Sequence, residues 1–296
     1  MNETREISAL LHLIDDPDQE VYATVAEKLM YYGKNIIPNL EFLWENTPDE
    51  LIQERIEMLI HRVNYQDLQE EWKNWVLSSD QNLFSGAFLV AKYQFPELIM
   101  GNFMKDLDKL KRNTWLELNN YLTPLEQINV VNSMIYNFFG LKGTEISYLQ
   151  KNQFFINQVM ESKKGNPITI GILYQVLCEL LDLPVFAVNV PRQFILAYFD
   201  YSGNFLRQHP ELPHYKIQFY IDPLMGQIFT QKDVESYLKR LSLPSTPTFF
   251  KPQSNTKIIQ SLLEELAKCF DNEKERYKFK ELTELSTILG NYKLPL

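Results

Sequence analysis

Glycine is scarce in this chain, with ten among 296 residues, and those ten are scattered. A glycine-rich loop that cradles phosphates through its backbone amides is therefore missing. Cysteine is scarcer still. Cys178 and Cys269 lie far apart without metal-type spacing, which excludes a disulfide framework or a zinc site and leaves reduced, buried thiols. Four histidines, His12, His61, His209 and His214, are all the imidazole available for proton transfer. Positive charge is also short: 29 Lys and Arg stand against 38 Asp and Glu, for a net charge of −9 and a pI near 5.1. A surface that binds nucleic acid needs a basic face, so nucleic acid is not an expected partner. No uninterrupted apolar run approaches the roughly 18 residues of a membrane helix. The N-terminus, MNETREISALLHLIDD, has no basic region ahead of an apolar segment. The expectation is a cytoplasmic protein off the membrane. What the chain does have is core material, 45% hydrophobic and 13% aromatic residues, enough for one to three packed domains.

In chain order, Asp16 and Pro17 read as an N-cap and first helical position, with Asp18 and Glu20 placing negative charge at the start of a helix. Capping explains this acidic cluster; a calcium loop needs spaced oxygen ligands, a turn glycine and a terminal glutamate, which are missing. Val21, Val25 and Leu29 then recur at helical spacing, Gly33 ends the run, and Ile36, Ile37, Leu40 and Leu43 begin another. The acidic-proline opening of the first helix and the isoleucine-proline of the second resemble a HEAT-type repeat. Helical periodicity continues through Ile56, Leu59, Trp72, Trp75, Phe84 and Phe88, and the aromatics at this spacing read as core. So few helix pairs leave apolar faces for the arm to cover. The basic patch KLKRNT, Lys109 to Thr114, marks a boundary, and Thr123-Pro124-Leu125-Glu126 opens a new helix with Thr123 as cap.

The most informative stretch is ESKKGNPITIGILYQVLCELL, Glu161 to Leu181. Asn166 caps, Pro167 takes the first helical position, and two apolar rows, Ile168/Ile172/Val176/Leu180 and Leu173/Leu177/Leu181, make the helix too apolar to stand half exposed. Gly171 in mid-helix gives up about 1 kcal/mol against alanine, which implies close approach of another backbone. Short β-rich runs follow at Val185–Val190, Gln193–Phe199, Ile217–Ile221 and Gln227–Thr230. Lys232 to Arg240 reads as a short helix, Ser242 to Pro252 as a connector, and Ile258 to Leu289 as an αα-hairpin. The fold class is α+β and mainly helical, a central buried helix packed on a small antiparallel sheet and flanked by helical repeat-like segments.

FINQVMESKKGNPITIGILYQVLCELLDLPVFAVNVPRQF, followed by FYIDPLMG, resembles the SirB-type branch of the transglutaminase-like superfamily. The resemblance runs from about Leu122 to Ser242. It implies a papain-like core, the transglutaminase-like domain over 113–248, flanked by a HEAT-like helical domain over residues 1–112 and a tetratricopeptide-like hairpin over 249–296. In active members a cysteine opens the central helix, a histidine takes its proton and an aspartate orients the histidine. The matching positions here are Pro167, Gln193 and Asp222. Proline is no nucleophile and a glutamine amide cannot carry a proton at neutral pH. Asp222 before Pro223 also serves as a turn former.

No other residue restores the chemistry from sequence. Cys178 sits about three turns into the helix, where the dipole no longer favours a thiolate. Thr169 has no histidine close in sequence, and His209 and His214 (HPELPH) are spaced for a solvated loop rather than a metal pair. The implied function is a catalytically inactive domain that binds another protein, with no cofactor and no metal. The alternatives are an amidase, acyltransferase or protease-type enzyme with a relocated nucleophile, Cys178 or Thr169, and a small-ligand binder whose cleft holds Asn166, Thr169, Gln193 and Asp222. The oligomeric state is left open.

Overall fold

The computed structural model describes residues 2–200 and 216–291. His209 and His214 lie outside the described residues. By contacts the chain divides into two compact units, Met1–Asn74 with Lys92–Pro96, and Trp75–Ala91 with Glu97–Leu296.

The first unit is built on helices α1 (Asn2–Leu11), α2 (Gln19–Tyr31) and α3 (Ile37–Asn46), with the leading parts of α4 (Glu50–Leu77). The cap of α2 is Asp18, whose Oδ1 accepts the Glu20 N–H at 2.8 Å. The expectation of Asp16 as cap is corrected here: Asp16 instead accepts the Asp18 N–H and forms the turn that leads in. Two acceptors in series displace the helix start by two residues. Ile14, Val25, Ala26, Leu29, Ile36, Leu40, Ile56 and Leu59 close into one buried cluster. Trp72 is fully buried, in keeping with the core reading of its spacing.

The second unit takes part of α5 (Leu83–Gln94), then α6 (Met100–Glu117) and α7 (Pro124–Asn132). Thr123 caps α7 through a complete capping box with Glu126. After α7 the helix continues as one π-helical turn, Ser133–Phe138. A two-residue parallel pair, β1 (Lys142–Gly143) with β2 (Lys164–Gly165), brackets α8 (Ile156–Ser162). The central helix α9 (Pro167–Leu180) has every residue from Ile168 to Cys178 buried.

The sheet follows as β3 (Val185–Val188), β4 (Ile195–Phe199), β5 (Ile217–Asp222) and β6 (Gln227–Phe229), all neighbours antiparallel in the order β3-β4-β5-β6. β4 is buried along its whole length because both faces of the sheet are covered. Ile195, Ala197 and Phe199 join Val188 and Tyr220 against Val234 and Leu238 of α10 (Gln231–Arg240), and α9 packs against β3 and β4. The free edge of β3 is closed by Gln175, whose Oε1 accepts the Ala187 N–H at 2.9 Å, and by Gln253, whose N–H donates to the Ala187 carbonyl at 2.8 Å. Helices α11 (Asn255–Ala267) and α12 (Arg276–Asn291) pack against each other as a hairpin, and α11 also contacts α9.

Two local expectations are corrected. The second strand starts at Ile195, not Gln193, because Arg192 adopts a left-handed backbone (φ 62°) and the Gln193 N–H turns back to the Val190 carbonyl. Gly171 is indeed crowded, but by a side chain: a Cβ there would stand 2.3 Å from Phe194 Cε1.

Candidate functional site

The start of α9 is closed by its own sequence. Asn166 Oδ1 accepts the Ile168 and Thr169 N–H groups at 2.9 and 3.0 Å, and the Ile170 N–H donates to the Asn166 carbonyl. Pro167 has no N–H to offer. Of the amide positions that a helix start normally presents to an anion, the one at Pro167 is therefore missing and those of Ile168 and Thr169 are consumed. Asn166 itself is fully buried and donates through Nδ2 to the Gln153 carbonyl at 3.1 Å. That carbonyl also takes the Thr169 hydroxyl at 2.9 Å, and the Gln153 side chain accepts from Thr144 at 2.6 Å.

Pro167 and Gln193 line one groove of about 690 Å³, together with Ile146, Tyr148, Phe194 and Leu224. Pro167 is half-buried and Gln193 is exposed at its edge. One wall is pinned by a polar clasp: the Tyr148 hydroxyl donates to Glu265 Oε2 at 2.8 Å and Lys268 Nζ sits 2.6 Å from the other oxygen. The hydrogen bond to Glu265, with some burial, raises the Tyr148 phenol above its ordinary value, and the same carboxylate raises Lys268. Glu265 thus faces the groove with its charge already matched.

Asp222 stands back from that groove. It ends β5, and its Oδ1 accepts the Leu224 N–H at 2.9 Å, so the carboxylate shapes the turn that carries Leu224 to the wall. The turn is held from behind by Tyr136, whose hydroxyl donates to the Pro223 carbonyl at 2.7 Å, and by Asn132, whose Nδ2 donates to the Gly226 carbonyl at 2.9 Å. Tyr174 of α9 donates to Asn132 Oδ1 at 2.8 Å. Burial, then the nearby Asp222 charge, pushes the Tyr136 phenol far up, and burial does the same to Tyr174. Both phenols are therefore fixed donors rather than acids. Gly226 (φ 70°) must be glycine for a second reason, since a Cβ would meet Asn132 Oδ1 at 2.4 Å.

The relocated nucleophiles are placed as follows. Cys178 is completely buried, and burial, with the Glu179 charge second, holds its thiol well above the usual range. Thr169 is completely buried and its hydroxyl is spent on the Gln153 carbonyl. His12 is exposed and His61 stacks on Tyr65 in the first unit. Sequence reasoning missed Gln153, Asn132, Tyr136 and the Tyr148–Glu265–Lys268 clasp. The one available signal was the polar pair Tyr174-Gln175 on an otherwise apolar helix, since buried polar groups need partners.

Chemically, the groove offers an apolar floor, amide groups from Gln193 and Gln253, and the exposed guanidinium of Arg192. This set can hold a chain segment through packing and hydrogen bonds. Its described lining holds neither cysteine nor histidine; its hydroxyls are those of Tyr148, bonded to Glu265, and Ser261, which donates to the Lys257 carbonyl at 3.1 Å.

Comparison with known proteins places these observations. The sequence model of the transglutaminase-like superfamily matches residues 102–264, more than half of the chain. A UPF0162 protein of Vibrio cholerae is 26% identical over 156 residues, 53% of this chain and 53% of that protein. UPF0162 protein YchA of Escherichia coli K12 is 24% identical over 164 residues, 54% of this chain and 56% of the relative. Protein SirB1 of Salmonella typhimurium is 21% identical over 173 residues, 57% and 60% of the two chains. The chain thus spans about half the length of the curated relatives it matches. No solved structure matches it.

Proposed function

The chain belongs to the transglutaminase-like superfamily, and from that premise we propose that it binds a segment of another protein in the groove beside Pro167 without performing acyl transfer. The observation that carries this reading is the closed start of α9. Acyl transfer in this superfamily needs a nucleophile at the helix start, a base beside it and donors aimed at an oxyanion. Pro167 supplies no nucleophile, Gln193 no base, and Asn166 has taken the amides. The burial of Cys178 and Thr169 supports the same reading against a relocated nucleophile. We read the helical segments flanking the domain, HEAT-like before it and tetratricopeptide-like after it, as further protein-binding surface, and the cytoplasm as the compartment that suits two unpaired thiols. Among the described residues no helix is long and apolar enough to cross a membrane.

Acylation by a small activated ester, followed by intact mass, tests the chemical half. Wild type is expected to form no adduct. Pro167→Cys with Gln193→His is expected to form a slow one, because the capping Asn166 and the turn-bound Asp222 leave both new groups unsupported, and misplacement by about 1 Å costs roughly a hundredfold. Turnover by wild type that survives Cys178→Ser and Thr169→Ala would overturn the reading. Leu224→Glu tests the binding half: it should remove from a pull-down the proteins that wild type retains.

A further inference from the structure

The basic run Lys109 to Thr114 lies away from the groove and has no part in the reading above. It falls on α6, where Lys105, Lys109 and Arg112 follow at helical spacing along one exposed stripe with Asp108 beside them, while the exposed carboxylates Asp106 and Glu117 lie to one side of that stripe. None of the three cations is paired with a carboxylate among the described residues. The same face runs on into Trp115 and Leu116, 65% and 68% exposed, and Tyr121 just beyond the helix is 96% exposed. Arginine, tryptophan and tyrosine are the residue types that dominate binding energy at protein interfaces.

The first unit carries the opposite chemistry. Residues 35–54 contain no lysine or arginine. On α3 and the start of α4 the outward side chains are Glu41, Phe42, Glu45, Glu50 and Leu51, with Phe42 69% and Leu51 73% exposed. Trp44 lies in the seam between these helices and donates through Nε1 to Glu57 of α4 at 3.0 Å. An exposed apolar patch ringed by one sign of charge is a recognition surface whose partner carries the other sign.

We propose that these two faces recognise each other between copies of this chain, the Lys105/Lys109/Arg112/Trp115 face of one copy docking on the Glu41/Phe42/Glu45/Leu51 face of another. A second copy is the occupant because both halves of the match, cationic with aromatic and anionic with apolar, are present in one sequence. The inference does not depend on the groove or on the loss of catalysis.

Sedimentation velocity of the full chain tests it, at about 50 mM and about 500 mM salt, either side of the range where screening cuts off exposed charges. The expected result is self-association at low salt that weakens at high salt. Lys109→Glu with Arg112→Glu, and separately Glu45→Lys with Glu50→Lys, should each give a monomer with unchanged circular dichroism. Mixing the two variants should restore assembly, since each supplies the charge the other has lost. Trp115→Ala should weaken assembly roughly tenfold with no charge altered. A chain that is monomeric at low salt, an assembly indifferent to both reversals, or a mixture of folded variants that stays monomeric would overturn the proposal. The last outcome would give these faces to a different protein.

Discussion

Asn166 does more at the start of α9 than its place in the sequence announces. It caps two amides through one oxygen and reaches back to the Gln153 carbonyl through its nitrogen, all within a fully buried site. Loss of an N-cap costs about 1 kcal/mol, and a lost buried hydrogen bond with an amide left bare adds a comparable amount. Asn166→Ala should therefore destabilise by roughly 2–3 kcal/mol in urea unfolding. Thr169→Val should cost only about 1 kcal/mol, because the Gln153 carbonyl keeps Asn166 as donor. The reverse order would show that Thr169, not Asn166, holds this corner. That the cap exists was legible in Asn-Pro ahead of an apolar run. That the capping side chain is itself held in place depends on the carbonyl of Gln153, thirteen residues earlier in the chain and brought there by folding.

At the scale of elements, α9 and the turn before β4 are fitted to each other through Gly171 and Phe194. Alanine at position 171 gains about 1 kcal/mol of helix propensity but overpacks a Cβ against the Phe194 ring, at a cost of typically 1–3 kcal/mol. Phe194 is only partly buried and lines the groove, so the ring, not the helix, should yield. Gly171→Ala is expected to lower stability by about 1 kcal/mol and to weaken groove binding, with Phe194→Leu in the same chain restoring the stability. Urea unfolding of the single and double variants measures this; a stabilised single variant would mean that the ring has room. Helical spacing singled out Gly171 but not its neighbour, because a mid-helix glycine signals a close approach without saying what approaches. The strands were readable from β-branched and aromatic runs. Their ends were not, since Arg192 takes a left-handed backbone that no sequence preference announces.

For the whole molecule, burial of ionisable groups sets how stability varies with pH. Cys178, Tyr136, Tyr174 and Tyr220 all have folded values raised by burial. For a raised thiol or phenol the unfolded chain ionises first, so the stabilisation is intact below the unfolded values, about 8.5 for cysteine and about 10 for tyrosine. It is lost as pH climbs through them toward the folded values. The urea midpoint should hold steady from about pH 7 to 8 and fall from about pH 9 to 11, with Tyr136→Phe flattening part of that fall. A midpoint independent of pH across that range would show these groups to be reached by solvent.

The sequence by itself determined the capped and buried central helix, the short antiparallel strands and the helical segments around them. Each of these rests on local spacing or on residue identity, which the linear chain carries. Only the tertiary structure decided how the site is closed. It turned Asp222 inward to its own turn, tied that turn to Asn132, Tyr136 and Tyr174, joined Tyr148 to Glu265 over more than a hundred residues, and buried Cys178 and Thr169. The physical reason is that a buried polar group must find its partner wherever the packed core brings one, and that distance in space is set by the core, not by separation along the chain.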